Sequence, residues 1–334
     1  MRHIDTLRGG ACVLLVIYHV VGATPADGLR IDDGQLRLVN DYLAVLRMPI
    51  FAFIAGWVYS LKPPLSQSIG EFAGRKAKRL LVPMVCAGAL YIVVQGIVPG
   101  TNSTHSGIPF VSPIGHLWFV QAIFAIFLVT AALDLMGATT SKLGSTVIFG
   151  ASCALYLLGS PTTAFALNGA VYLWPFFLTG LAVGRHGDWL RLVSSPHARL
   201  VLVVVAAAWM ATAEITSNRN TAAYLVIGVC LCLLAAGCQR LNSKSLSAIA
   251  PYSFGIYLFH VFFTAGTRIA LYRMDITQIE IHVLLGSVMG VAGPIVLQRV
   301  RRPHPVGSFL FFGKPLPKDR LPTARAEGAT LRYH

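Results

Sequence analysis

The sequence predicts an all-α fold, a polytopic membrane bundle of about ten transmembrane helices with both termini in the cytoplasm. Three observations support this prediction. Hydrophobic residues make up 55% of the 334 residues and charged residues only 12%, about half the charged fraction of a soluble domain. Apolar stretches of about 18 to 22 residues recur along nearly the whole chain. Basic residues gather in alternate loops between these stretches.

Ten apolar windows are long enough to count as candidate spans. A helix of about 20 residues crosses the hydrocarbon core, so each window is expected to form one helix. The fifth and sixth windows are the shortest and have the least distinct ends. The windows cover approximately residues 4–24, 39–60, 79–98, 116–136, 145–160, 169–185, 198–215, 221–239, 249–271 and 280–299.

The distribution of basic residues predicts the orientation. A cytoplasmic N-terminus places 20 of the 27 Lys and Arg residues on the cytoplasmic side of the ten windows. The opposite face keeps four of them, and three lie inside windows. Because loops rich in Lys and Arg stay in the cytoplasm, both termini are predicted to be cytoplasmic, in a membrane of the bacterial inner-membrane type.

The windows form one continuous series, so we expect a single transmembrane domain over residues 1–302. Residues 303–334 are rich in proline and basic side chains and lack apolar periodicity, which predicts a cytoplasmic tail without regular structure. The basic loops and this tail account for the formal charge of +14. The expected partner is therefore the lipid bilayer, and nucleic acid is not expected.

The first window carries three ionisable residues, Asp5, Arg8 and His19. Arg8 and His19 differ by only about 20° around a helix and lie about 16 Å apart along it. Asp5 precedes Arg8 by one turn and can orient its guanidinium group. Ionisable side chains within a span usually face the bundle interior or a water-filled cavity, so this helix face is predicted to be functional.

These three residues are the catalytic candidates. His19 can act as a general base because a neutral imidazole accepts a hydroxyl proton near physiological pH. Arg8 at the cytoplasmic surface and His19 deep in the membrane suit a long substrate with an anionic end, such as a coenzyme A thioester. The alternative is a structural role for His19, in which its ring forms hydrogen bonds to a neighbouring helix.

A basic cluster precedes the third window and can bind the phosphates of such a substrate. Lys76 and Arg79 are one turn apart and can both face the mouth of the bundle, and Arg75 belongs to the same cluster. Together with Arg8 they form the predicted binding set for acyl-CoA. The alternative is that the cluster only anchors the span at the cytoplasmic surface.

Five further residues are candidates for contact with the second substrate. Arg47 lies at a depth comparable to that of the catalytic histidine, where it either stabilises an oxyanion or extends to the outer headgroups. Trp118 opens the fourth window, where tryptophan is also common as an interfacial residue. Ser253, Tyr257 and His260 share one face of the ninth window and either bind substrate or join helices.

Six features together resemble the membrane acyltransferase-3 family, in particular its fucose 4-O-acetylase-like branch. Two lie in the first window: the start Arg2-His3-Ile4-Asp5-Thr6-Leu7-Arg8-Gly9 and the spacing from Arg8 to His19. The others are Met48-Pro49-Ile50-Phe51, Lys76 to Arg79 before Leu80-Leu81-Val82-Pro83, His116-Leu117-Trp118-Phe119, and Ser253 to His260. Two positions depart from the branch, since Arg47 stands where histidine is frequent and Ala55-Gly56 replaces Ser-Gly.

The resemblance implies a ten-helix O-acyltransferase that uses cytoplasmic acyl-CoA, in the first place acetyl-CoA, as a co-substrate and binds no permanent cofactor. The acceptor implied is a hydroxyl of a glycan, glycolipid or related molecule. Arg8 and His19 match the family's essential arginine and histidine, and Lys76 with Arg79 matches its basic pair. A metal site is not expected, because the histidines have no cysteine or carboxylate partners at ligand spacing.

A transporter or flippase for a glycolipid or small solute is the alternative from a different class. Charged residues within spans would then line its pathway. The sequence contains no visible internal repeat and no matching pair of broken helices, which many secondary transporters have. Acyl-CoA hydrolysis, or release of O-acetyl groups from cell glycans, would separate the two classes.

Overall fold

The computed structural model describes residues 2–63, 68–98, 108–160, 162–212, 219–238, 241–301 and 303–316. Within these ranges the chain is almost entirely helical. The α-helices are α1 (Arg2–Val21), α2 (Gln35–Tyr42), α3 (Ala44–Ser60), α4 (Ile69–Ile97), α5 (Trp118–Leu135), α6 (Lys142–Leu158), α7 (Leu167–Arg185), α8 (Gly187–Ser194), α9 (Pro196–Thr212), α10 (Ala222–Gly237), α11 (Lys244–Ile249), α12 (Ser253–Arg273), α13 (Ile279–Arg301) and α14 (Pro305–Phe312). Short 3-10 turns cover Gly115–Leu117, Ala164–Ala166 and Ala250–Tyr252.

Length and composition support a multi-pass membrane protein. Among the described residues, seven helical segments are long and apolar enough to cross a membrane. An eighth is counted if α8 and α9, which are bent by 76° relative to each other, form one broken span. Helices α6 and α10 are apolar but shorter. Each predicted window overlaps at least one helix, whereas the number of crossings and the orientation stay predictions.

Two windows differ from the helices that they predict. The sixth was expected to be short, but it belongs to a segment of 22 residues, Ala164–Arg185. The third was expected from about residue 79, but α4 begins at Ile69. The reason is an N-terminal cap: the hydroxyl of Ser68 accepts a hydrogen bond of 3.2 Å from the backbone N–H of Glu71. The basic cluster therefore lies on the first turns of a continuous helix.

Helices α3 and α7 pack with their backbones in close approach. A Cβ atom added to Gly56 would lie 1.9 Å from the carbonyl oxygen of Phe177, and one added to Gly180 would lie 1.9 Å from that of Phe53. Small residues at a helix interface allow this approach, which is a common device in membrane bundles. Gly56 and Gly180 therefore have a packing role at this interface.

The segment after α13 departs from the expected structureless tail. Pro305 begins α14 at a position where its missing N–H costs no hydrogen bond. The ring of Phe312 is buried, with its centroid 5.6 Å from that of Phe259. Gly313 follows in the left-handed conformation and lies against the backbone of Arg79. The part of the tail from residue 317 onward lies outside the described residues.

Helix α1 lies inside the bundle and positions the candidate site. It packs against α3, α11, α12 and α13. The face that carries Arg8 and His19 is consequently turned toward neighbouring helices, as the helical period predicted.

Candidate active site

Arg8 and His19 open into two different cavities. Arg8 lines a cavity of about 350 Å³, here called the cationic cavity. His19 lines a cavity of about 410 Å³, here called the histidine cavity. The ring of Tyr257 lines both of them. One helix thus presents a cation to one cavity and an imidazole to the other, with a single tyrosine common to both walls.

The cationic cavity collects positive charge from three segments of the chain. Arg8 of α1, Lys62 after α3, and Lys76 and Arg79 of α4 all line it, and the described residues of its wall include no carboxylate. Its apolar wall includes Phe51, Ile54, Phe119, Ile123, Phe127 and Phe254. This combination of clustered cations and an apolar wall suits a phosphate-bearing ligand with an apolar arm.

Two of the cations of this cavity, Arg8 and Lys76, have defined contacts with neighbouring side chains. A carboxylate oxygen of Asp5 lies 3.8 Å from the guanidinium of Arg8. The ammonium of Lys76 lies 3.6 Å from the ring centroid of Phe127, within the range of a cation–π interaction. Ser253 also lines the cavity, whereas Arg75 is exposed and does not line it.

Three histidines meet beside the histidine cavity. The ring centroid of His19 lies 4.7 Å from that of His260 and 5.8 Å from that of His116. The rings of His116 and His260 are 5.1 Å apart. These residues come from α1, α12 and the turn before α5, so only the tertiary fold brings them together. Within the described chain, no group of three or more metal-ligating side chains has a geometry that could hold a metal ion.

Backbone carbonyl groups determine the protonation of His260. Its Nδ1 atom lies 2.9 Å from the carbonyl oxygens of both Ile256 and Tyr257. Carbonyl oxygens only accept hydrogen bonds, so the proton resides on Nδ1 and the Nε2 atom carries a lone pair. His260 is 0% exposed, and its Nε2 atom has no hydrogen-bond partner among the described groups. The nearest imidazole ring is that of His19, with its centroid 4.7 Å away.

His116 and Tyr257 form the boundary between the cavities. The Nε2 atom of His116 lies 3.2 Å from the carbonyl oxygen of Leu258 and donates to it, since that oxygen can only accept. The hydroxyl of Tyr257 donates to the carbonyl oxygen of His116. The Tyr257 ring is therefore tied to the turn that positions His116, and it separates the two cavities.

Arg47 lies behind the wall of the histidine cavity. It is 2% exposed, and its guanidinium carbon lies 4.3 Å above the ring centroid of Tyr18. One terminal nitrogen donates to the side-chain oxygen of Asn40 at 2.8 Å, while Nε and Nη1 have no described partner. The Tyr18 ring lies between this cation and the cavity, with its centroid 5.0 Å from that of His19.

Several residues of the histidine cavity were not among the site predictions, and three of them matter for its chemistry. Arg219 precedes α10, Arg268 belongs to α12 and His116 lies in the turn before α5, and all three line the cavity together with the predicted Trp118. Arg268 carried a usable signal, because an arginine inside an apolar window is costly unless it faces a cavity. Arg219 carried none, because it was one basic residue in a loop.

The chain was also compared with known proteins. A family model described as an acyltransferase domain matches residues 1–299. This range contains both cavities and every residue that lines them. Searches of curated proteins and of solved structures found no match.

Proposed function

The chain belongs to the acyltransferase-3 family and is an acyltransferase, and from this premise we propose that it transfers an acyl group, acetyl in the first place, to a hydroxyl. The donor is cytoplasmic acyl-CoA, and the acceptor is a glycan, glycolipid or related molecule. The enzyme resides in a membrane of the bacterial inner-membrane type with both termini in the cytoplasm. We also propose that it belongs to the fucose 4-O-acetylase-like branch. The observation that carries the proposal is the pair of cavities that meet at Tyr257.

The cationic cavity is the proposed donor site. Coenzyme A carries a diphosphate and a 3′-phosphate, and Arg8, Lys76 and Arg79 supply charge-assisted hydrogen bonds to them. The pantetheine arm follows the apolar wall toward Tyr257, and the acyl group passes beside that ring toward His19. Asp5 orients Arg8, and the exposed Arg75 contributes long-range attraction.

The histidine cavity is the proposed acceptor site. His19 takes the proton from the acceptor hydroxyl as its oxygen attacks the thioester carbonyl carbon. A C–O bond forms, the C–S bond breaks, and the proton passes from His19 to the leaving thiolate. In the reacting complex the lone pair of His260 Nε2, which has no partner among the described groups, accepts the N–H on the other nitrogen of His19 and so directs the basic nitrogen into the cavity. Arg47 adds positive potential beside the developing oxyanion.

The test uses purified protein with acetyl-CoA and a panel of saccharide acceptors. Wild-type protein is expected to release free CoA thiol together with an acetyl ester on the acceptor, and the His19→Asn variant is expected to form no ester. The matched control is His197→Asn. His197 is an exposed histidine at the start of α9 and lines neither cavity. Ester formation at the wild-type rate by the His19 variant would refute the role of His19 as the base.

A further inference from the structure

The histidine cavity contains two arginines, and its one described carboxylate, Asp27, interacts electrostatically with Arg268 without forming an ion pair. Arg219 and Arg268 both line it, and neither forms an ion pair with a described residue. They come from different elements, the segment before α10 and the middle of α12. Two cations at one cavity are costly inside a membrane bundle unless an anion or water balances them.

Each guanidinium is held by a described neighbour. Nη1 of Arg268 donates to the carbonyl oxygen of Gly28, and the guanidinium has five N–H groups in all. Burial lowers the pKa of Arg219, but the phenol oxygens of Tyr18 and Tyr172 outweigh this effect and raise its pKa above the ordinary value. Arg219 is thus held as a cation beside Tyr18, whose ring neighbours His19.

The charge of the cavity favours an anion. Asp27 is the one carboxylate among the described lining residues, and its Oδ2 atom accepts a hydrogen bond of 2.8 Å from the hydroxyl of Thr24. Two arginines and one aspartate leave a formal excess of one positive charge. The buried Arg47 lies behind Tyr18 and adds to the positive potential on the side of the cavity that Tyr18 lines.

We propose that the acceptor carries an anionic group, a phosphate or a carboxylate, which Arg219 and Arg268 bind while the acceptor hydroxyl reaches His19. This inference rests on the proposed function and specifies its substrate class. Arginine suits the role because its planar group binds both anions through paired hydrogen bonds. Trp118 lies in the same cavity wall and offers an apolar face for the sugar ring.

The experiment compares three acceptors with the same octyl tail: octyl glucoside, octyl glucuronide and octyl glucoside 6-phosphate. With wild-type protein and acetyl-CoA, kcat/KM is expected to be at least about tenfold higher for a charged acceptor than for the neutral one. The carboxylate and phosphate arms identify which anion is preferred. Arg219→Gln and Arg268→Gln should each reduce this preference by about tenfold. Arg273→Gln, an exposed arginine of the same helix, is the matched control and should keep it.

A binding measurement without donor separates the two proposals. The charged acceptors, but not octyl glucoside, should raise the Tm of the wild-type protein, and Arg219→Gln should abolish this difference. Such binding in a protein that transfers no acyl group would leave this inference standing and overturn the proposed function. Equal kcat/KM values for charged and neutral acceptors, or a preference that survives both arginine substitutions, would overturn the inference while acyl transfer stands.

Discussion

Replacing His260 is expected to slow acyl transfer without weakening donor binding. The side chain is fully buried and lines neither cavity, so it acts through His19 as a positioning residue. His260→Phe removes the Nε2 lone pair while it keeps a ring of similar size. His260→Gln supplies a carbonyl oxygen near the position of Nε2 and is expected to restore much of the function.

The magnitude follows from the charge that His19 acquires. When His19 takes the proton it becomes a cation, and a hydrogen bond from a charged donor contributes about 1.5–3 kcal/mol. Loss of this bond in the transition state lowers kcat by about 10- to 150-fold. The KM for acyl-CoA should stay unchanged, because the cationic cavity lies on the far side of Tyr257.

The assay measures kcat and KM by CoA thiol release together with ester formation, in protein whose folding is checked by size-exclusion elution and Tm. A Phe variant with wild-type kcat, or a Gln variant that is no faster than Phe, would refute the hydrogen bond between the two histidines.

Three further predictions address the donor site, the packing and the topology. The double substitution Lys76→Glu and Arg79→Glu should raise the KM for acyl-CoA by about 100-fold or more, because two phosphate contacts become repulsive, while exposed Lys78→Glu should leave it unchanged. Gly180→Ala should destabilise the protein by about 1–3 kcal/mol or more in thermal unfolding, since the added methyl meets a backbone oxygen 1.9 Å away, whereas Gly150→Ala has open space and should not. Reporter fusions at the two termini should both report the cytoplasm, and opposite sides would remove the ten-span arrangement.

Hydropathy was sufficient to locate the long apolar helices of the described chain, because lipid requires about 20 apolar residues for each full crossing. It did not predict where α4 begins, since its first turns are polar and depend on the capping interaction of Ser68. It also did not predict α14, whose formation depends on the packing of Phe312 against a distant helix. Local hydrogen bonding determines the start of α4, and tertiary packing determines the formation of α14.

The candidate site also combines features that the sequence predicts with features that depend on tertiary packing. The shared face of Arg8 and His19 followed from the period of one helix. The meeting of His19 with His116 and His260 could not follow from it, because three separate elements supply the rings and only their packing sets the distances. The donor role of Lys76 and Arg79 stays a prediction, now with a cavity that both residues line.

The proposed function predicts that the donor enters from the cytoplasmic side past Arg8 and that the acceptor reaches His19 from the opposite side of the membrane. The most direct measurement uses proteoliposomes of one orientation, with radiolabelled acetyl-CoA confined to the cytoplasmic side and the acceptor confined to the other. Label should appear on the acceptor with wild-type protein and be absent with His19→Asn. Transfer that proceeds without His19, or that requires donor and acceptor on the same side, would contradict the account.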